Sequence, residues 1–331
     1  MRLGIAGVGS IGEVHLKAAK EVPGIEVVAC ASSRPEEVRR QFPGLRIHPT
    51  YQDLLNDPAL EAVVICVPTF LHEQYTLEAL GKGLHVLCEK PMALDPQAAG
   101  NMVAAAKKSG RILMVAQVLR FWPQYVRIKE LVESGAIGRV QTIAAYRLGE
   151  SPAPNTWFHD PARSGGCLLD LHIHDVDFVH WLMGTPDHVR TYGIQSDSGC
   201  WDHVFTTLSY PGIIASVEGS FLMPDSRPFG SGMRVAGTKG SIEYEFQVGT
   251  NIQERAVASH HFRLYKAGGE SSEPAAGTED AYVAQLRYFA GCVEHGEDPE
   301  ICSPDESCSV MKVMEACRQS AETGQALALA L

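Results

Sequence analysis

The 331-residue sequence has no uninterrupted apolar run near the ~18 residues that a helix needs to cross a bilayer. It also lacks a charged leader with a cleavage site, because a strand pattern begins at residue 3. Both absences predict a soluble, cytoplasmic protein with no membrane partner. Basic residues are in deficit, with 28 Lys and Arg against 39 Asp and Glu and no basic cluster, so capture of nucleic acid or an anionic surface is not expected. Nine cysteines are scattered without a Cys-x-x-Cys pair, and several interrupt strand-like apolar runs. That pattern predicts free thiols in a reducing compartment, with Cys302 and Cys308 the pair that could bond or share a ligand. No internal repeat is present, and the partner classes that remain are a small molecule or another protein.

What the chain does contain is apolar residue, 45% of the total, enough to fill two ordinary domains. Its first third alternates strand and helix at the spacing of βαβ units. Strand patterns fall at 3–6, 25–31, 62–67, 85–89 and 112–116, and helical ones at 11–21, 36–42, 71–82 and 96–108. The 62–67 run is apolar nearly throughout, as in a parallel strand buried on both faces. After Arg120, β-branched and aromatic runs at 140–148, 203–210, 213–221 and 240–246 are separated by turn signals such as Tyr210-Pro211-Gly212 and Gly237-Thr238-Lys239-Gly240. The expected fold class is α/β: a doubly wound parallel sheet of the Rossmann type over 1–118, then an α+β domain over 119–331 with a large, mostly antiparallel open sheet. Segments 153–155, 224–232 and 267–277 read as surface loops. The tail at 281–323 reads as two helices separated by 299–304, able to pack back on the first domain.

Three motifs carry chemistry. Gly7-Val8-Gly9-Ser10-Ile11-Gly12 follows the first strand and opens a helix, the context in which G-x-G-x-x-G binds a dinucleotide. The glycines permit a tight turn and close approach of pyrophosphate, and the helix N-terminus receives its charge. An NAD site usually carries an acidic residue about 20 positions on. Here Ser32-Ser33-Arg34 occupies that place, which favours NADP, since hydroxyls and a guanidinium can hold a 2′-phosphate, while leaving NAD open. Glu89-Lys90-Pro91 closes the apolar run 85–88, placing a lysine at the carboxyl end of a strand, where open α/β sheets bind ligands. Such an ammonium can polarise a carbonyl or exchange a proton; it can equally be a solvated turn residue.

The third motif spans Gly165-Gly166 to Leu182. Counted as one helix at 100° per residue, it puts Asp170, His174 and Asp177 within about 60° of one another on an otherwise apolar helix. A buried histidine between carboxylates is a natural acid/base unit, and a structural hydrogen-bond network is the competing explanation. A metal is not expected. His172 and His174 point to opposite sides of a helix, and no distant ligand cluster is evident.

Together these residues resemble the Gfo/Idh/MocA oxidoreductases, the family of glucose-fructose oxidoreductase and inositol dehydrogenase. The resemblance runs through essentially the whole chain: the glycine motif, Val67-Pro68-Thr69-Phe70-Leu71-His72, Gly83-Leu84-His85 to Glu89-Lys90-Pro91, Gly165-Gly166 with Asp170 and His174, and Gly237-Thr238-Lys239-Gly240. It implies that Lys90 and His174 act on the reacting hydroxyl or carbonyl with Asp170 in support. It further implies a cofactor site of Gly7, Gly9, Ser10, Ile11, Gly12, Ser32, Ser33, Arg34, Val67, Pro68, Thr69, His72, Glu89, Lys90 and Gln117. Arg120, Trp122, Arg147, Trp157 and His172 would border the substrate along with Asp170. Two departures stand out: His172 where relatives commonly have glycine, and Ser32 where they carry an acid.

The implied activity is NAD(P)-dependent hydride transfer to or from a secondary alcohol of a sugar, cyclitol or polyol, in a homodimer or homotetramer built through the second domain's sheet. A glycosidase working by transient oxidation and elimination needs the same lysine and histidine. A non-catalytic ligand sensor would be expected to have lost one of them.

Overall fold

The computed structural model describes residues 1–153, 156–248 and 258–329. Pro154 and Asn155 of the expected 153–155 loop lie outside them. From the N-terminus the elements are β1 (Arg2–Ala6), α1 (Ser10–Ala19), β2 (Glu26–Ala31), α2 (Pro35–Gln41), β3 (Arg46–His48), α3 (Tyr51–Leu55) and β4 (Ala62–Ile65). Then come α4 (His72–Gly81), β5 (His85–Glu89), α5 (Pro96–Ser109), β6 (Leu113–Ala116), α6 (Pro123–Glu133), β7 (Val140–Glu150), α7 (Pro161–Ser164), α8 (Gly166–Asp170) and α9 (Ile173–Met183). The remainder is β8 (His188–Gln195), β9 (Trp201–Tyr210), β10 (Ile213–Met223), β11 (Phe229–Gly237), β12 (Gly240–Val248), β13 (Ala258–Lys266), β14 (Ser271–Ser272), α10 (Ala281–His295), α11 (Pro304–Thr323) and β15 (Leu327–Ala328). These elements form two compact units, residues 1–121 with 279–308 and residues 122–278 with 309–331.

In the first unit six parallel strands run in the order β3-β2-β1-β4-β5-β6. Helices cover both faces, so Ala62, Val63, Val64 and Ile65 of β4 are all fully buried. Chain order reverses between β1 and β4, and the turns leaving those two strands are therefore where a ligand is expected. Local signals set the helix ends. Asp95 caps α5 by accepting the Ala98 N–H, Pro96 opens its first turn, and Gly110 ends it in left-handed backbone. β3 and α3 were not expected from the sequence. They are short, and Asp57 secures β3 by accepting from Arg46 and His48. The Ala59 N–H, with those two side chains, holds the Asp57 carboxyl down at about 2.

The second unit is built on a nine-stranded sheet ordered β14-β13-β12-β11-β7-β10-β9-β8-β15. Among the described residues only β7 and β10 of this sheet pair in parallel, and its other pairings are antiparallel. β8 to β10 form one meander and β11 to β14 another, and β7 sits between them. Alternation sorts the faces: Asp202, Val204, Thr206, Leu208 and Tyr210 of β9 point inward while Phe205 is exposed. The expected loop at 224–232 is a strand from Phe229 onward. Its Gly230-Ser231-Gly232 run hides the β signal, and Gly232 is needed because a Cβ there would strike the Tyr146 ring. β8, β13 and α6 were likewise not foreseen.

None of the nine cysteines is in a disulfide, and all but Cys308 are buried. Burial pushes the Cys30 thiol up to about 11 and those of Cys88 and Cys317 up to about 12, which keeps them protonated and unreactive. Among the described residues no helix is long and apolar enough to cross a membrane.

Candidate functional site

The turn leaving β1 is shaped by its glycines. Gly7 takes φ +91°, and a side chain there would press on the Cys66 carbonyl. Gly12, on the first turn of α1, lies so close to the Gly7 carbonyl that no Cβ fits between them. Gly9 has nothing within 4 Å of where its Cβ would be, and no side chain caps α1. A backbone cradle beneath an uncapped helix N-terminus, open over Gly9, fits the pyrophosphate of a dinucleotide.

The exit of β2 lies beside this cradle. Ser32 is buried and its hydroxyl accepts the Arg34 N–H at 3.1 Å, while Ser33 and Arg34 are exposed. The Arg34 guanidinium reaches back to the Val8 carbonyl at 3.4 Å and pairs with Glu37 at 3.0 Å. The structure thus brings Arg34 against the glycine motif, with Ser32 and Ser33 in the same turn.

The turn after β5 carries the lysine. Lys90 is half-buried, and its peptide bond to Pro91 is cis. Its backbone N–H donates to Glu89 Oε2 at 3.1 Å. The other oxygen of Glu89 lies 2.7 Å from Nε2 of His15, a fully buried ring on α1 that also meets Tyr282 of α10 edge-on at 5.7 Å. Glu89 therefore joins the lysine turn to the helix of the glycine motif, an inward role beyond the cofactor contact expected of it. Between β4 and α4, Thr69 is buried, and Val67 and Pro68 are half-buried. His72, expected to line the cofactor cleft, is instead enclosed: Nδ1 lies 2.8 Å from the Pro91 carbonyl and Nε2 2.8 Å from that of Val67. After β6, Gln117 is buried, and its Oε1 meets no hydrogen-bond partner among the described residues. Arg120, expected to border the substrate, is 1% exposed and ion-paired with Glu306.

In the second unit the expected single helix is two. The N–H groups of Leu171 and His172 both donate to the Cys167 carbonyl, at 3.0 and 2.9 Å, and this wide turn separates α8 from α9. Asp170 ends α8 and His174 lies in the first turn of α9, so the 100° count does not carry from one to the other; His174 and Asp177 still share α9. His172, expected as an extra polar ring at the substrate, is fully buried with Nε2 2.9 Å from the Thr206 hydroxyl. Burial pushes it down to about 3, so the ring is neutral, and Gly219 leaves the space it fills. Arg147, expected at the same border, closes an internal ion pair: its Nε and one terminal nitrogen meet the two Asp175 oxygens at 2.9 and 3.0 Å, and the latter nitrogen also reaches the Tyr125 hydroxyl at 3.3 Å. Against burial, the Asp175 carboxylate holds the Arg147 guanidinium above its ordinary value. Trp122 donates to the Tyr244 hydroxyl at 3.2 Å, and Trp157 stacks on Phe158.

Sequence reasoning missed His15, Glu306 and Asp175. His15 falls three residues after Gly12, on the helix face turned to the sheet, but its partner lies 74 residues away. No group of three or more His, Cys, Asp or Glu among the described residues is placed to hold a metal.

Comparison with known proteins bears on both units. A model of the "Oxidoreductase family, NAD-binding Rossmann fold" matches residues 1–117, and one of the "GFO/IDH/MocA C-terminal domain" matches residues 125–243. The chain is 32% identical to D-xylose 1-dehydrogenase (NADP(+)) 2 of Haloferax volcanii, over 99% of this chain and all of that one. It is 26% identical to myo-inositol 2-dehydrogenase of Thermotoga maritima, over 94% of this chain and 93% of the other. Among solved structures, aldose-aldose oxidoreductase from Caulobacter crescentus superposes with a TM-score of 0.85 at 26% identity, covering 99% of this chain and all of that one.

Proposed function

The chain belongs to the Gfo/Idh/MocA family of NAD(P)-dependent oxidoreductases, and on that footing we propose that it moves a hydride to or from a secondary alcohol of a sugar, cyclitol or related polyol. The observation that carries this reading is the half-buried Lys90 at the carboxyl end of β5, on a turn tied to the glycine-motif helix through Glu89 and His15. The dinucleotide, when bound, supplies the hydride chemistry. The glycine turn and the N-terminus of α1 receive its pyrophosphate, with Val67, Pro68, Thr69 and Gln117 alongside. Lys90 offers its ammonium to the substrate oxygen, where negative charge grows as the hydroxyl proton leaves in oxidation or as the hydride arrives at the carbonyl carbon in reduction. His174 takes the hydroxyl proton in oxidation and returns it in reduction, and Asp170 supports the substrate. The names of the relatives, a pentose and an inositol dehydrogenase, support a ring substrate with several hydroxyls.

Arg34 supports NADP as the preferred dinucleotide, because a 2′-phosphate would replace Glu37 as its anion at the edge of the glycine turn. The test is absorbance at 340 nm with a panel of aldoses and inositols and either dinucleotide. The expected result is net reduction of NADP⁺, faster than NAD⁺ at subsaturating cofactor. Arg34→Ala is expected to raise KM for NADP⁺ about tenfold, one charge-assisted contact's worth, while KM for NAD⁺ stays within threefold. Absence of net reduction with every polyol sinks the dehydrogenase reading, and an equal loss with both dinucleotides sinks the role of Arg34.

We also propose that the open face of the second unit's sheet pairs with a second copy of the chain. Tyr192, Ile194, Phe205, Ile214 and Leu222 are large, apolar and exposed, and Tyr192 faces Phe205 across the β8/β9 ladder. Phe205→Arg combined with Ile214→Glu is expected to halve the mass seen by sedimentation; a wild-type protein that sediments as a monomer rules the pairing out.

A further inference from the structure

His72 is the first residue of α4, 1% exposed, and its two ring nitrogens bridge two different strand exits. Nε2 faces the Val67 carbonyl just after β4, and Nδ1 faces the Pro91 carbonyl just after Lys90, each at 2.8 Å. Neither the glycine motif nor the lysine chemistry described above uses this ring. A neutral imidazole has one N–H to give, and two acceptors face it. Burial pushes His72 below its ordinary value, while the two carbonyls and the Glu89 carboxylate pull it up and the Lys90 ammonium pushes it down. Its position in the first turn of α4 also disfavours the charged ring. At neutral pH one proton therefore serves two carbonyls, and its location decides which strand exit is held.

We infer that His72 is a positioning residue for Lys90, holding the lysine turn through an Nδ1–H donated to the Pro91 carbonyl. The turn is then fixed on two sides. Glu89 anchors the start of Lys90 to α1 through His15, and His72 anchors the residue that follows it to α4. With its one proton on Nδ1 the ring holds the Pro91 carbonyl in preference to that of Val67, which it only packs against. The inference rests on Lys90 being the polarising group.

The two ring nitrogens can be separated by substitution, since an asparagine amide takes the place of Nδ1 and a glutamine amide that of Nε2. His72→Asn keeps a donor for Pro91 and is expected to hold kcat within about threefold. His72→Gln keeps only the Val67 contact and is expected to lower kcat roughly 10- to 100-fold, as loss of alignment does, with KM and the NADPH dissociation constant by fluorescence little changed. In the Lys90→Ala background His72→Gln should cost nothing more. Amide exchange in a peptide over residues 88–93 supplies a readout without turnover: at least tenfold faster in His72→Gln and unchanged in His72→Asn. Should His72→Gln fail to fold, His72→Leu carries the same expectations. Equal behaviour of the Asn and Gln variants in exchange, or a loss in kcat that adds to that of Lys90→Ala, overturns the inference. Wild-type turnover by Lys90→Ala overturns the reading of Lys90 itself, and with it this role for His72.

Discussion

Lys90→Ala is expected to lower kcat by about 10²- to 10³-fold, the loss seen when one group that stabilises a developing oxyanion is removed. The ammonium meets little charge on the bound hydroxyl or carbonyl and much more on the alkoxide-like oxygen of the transition state, so the loss falls on the transition state. KM and dinucleotide affinity are expected to stay within about threefold, because the glycine turn is built from backbone and does not depend on the lysine side chain. Lys90→Met, which keeps the stem and removes the charge, should match the alanine variant. Lys90→Arg keeps the charge but spreads it over a planar fork and should recover only part of the rate. Steady-state rates at saturating dinucleotide decide the matter, and near-normal turnover in the alanine and methionine variants removes Lys90 from the chemistry.

Asp175→Ala is expected to cost about 3–5 kcal/mol of stability, the range for leaving a buried charge without its partner. Arg147 lies inside the second unit with Asp175 as the anion of a two-point contact, and the remaining polar neighbour, Tyr125, has no charge to offer. Replacing both residues, as in Arg147→Met with Asp175→Leu, removes the stranded charge and is expected to restore most of the loss. All four tryptophans, at 122, 157, 181 and 201, fall in the second unit, so urea unfolding followed by tryptophan fluorescence reads this unit selectively. A single variant that melts at the wild-type midpoint shows that the pair contributes nothing net. Because Asp175 follows His174 directly, a milder loss should still appear as lowered kcat in the folded fraction.

The glycine turn and the lysine turn were legible in the sequence because each is local: a strand, a turn residue and a helix within a few positions. The doubly wound sheet was legible because apolar runs and helical periods alternate through the first 120 residues. The buried pairs that tie elements together within each unit were not legible. His15 with Glu89 and Arg147 with Asp175 depend on which strands and helices become neighbours, and nothing in the residues themselves names a partner 74 or 28 positions away. One signal was available. In β7, Ile143, Ala145 and Arg147 share a face at period two, so an arginine in step with core residues points inward and needs an internal anion. The break between α8 and α9 was hidden for a different reason. Both helices are apolar enough to read as one, and the wide turn at Leu171 and His172 is a matter of two N–H groups sharing a carbonyl.

The central place of β7 has a consequence during synthesis. It is the first strand of its sheet to leave the ribosome, yet both its neighbours, β10 and β11, follow β8 and β9 in the chain. At about 5–20 residues per second, one edge stays without a partner until Met223 has been made and the other until Gly237 has been made, a wait of roughly 4–17 s. The outer strands can form hairpins as they emerge, whereas the strand that unites them has to wait. Nascent β7, whose inward face carries Ile143 and Ala145, thus presents apolar residues and two open edges while 73 or more residues are still to be made.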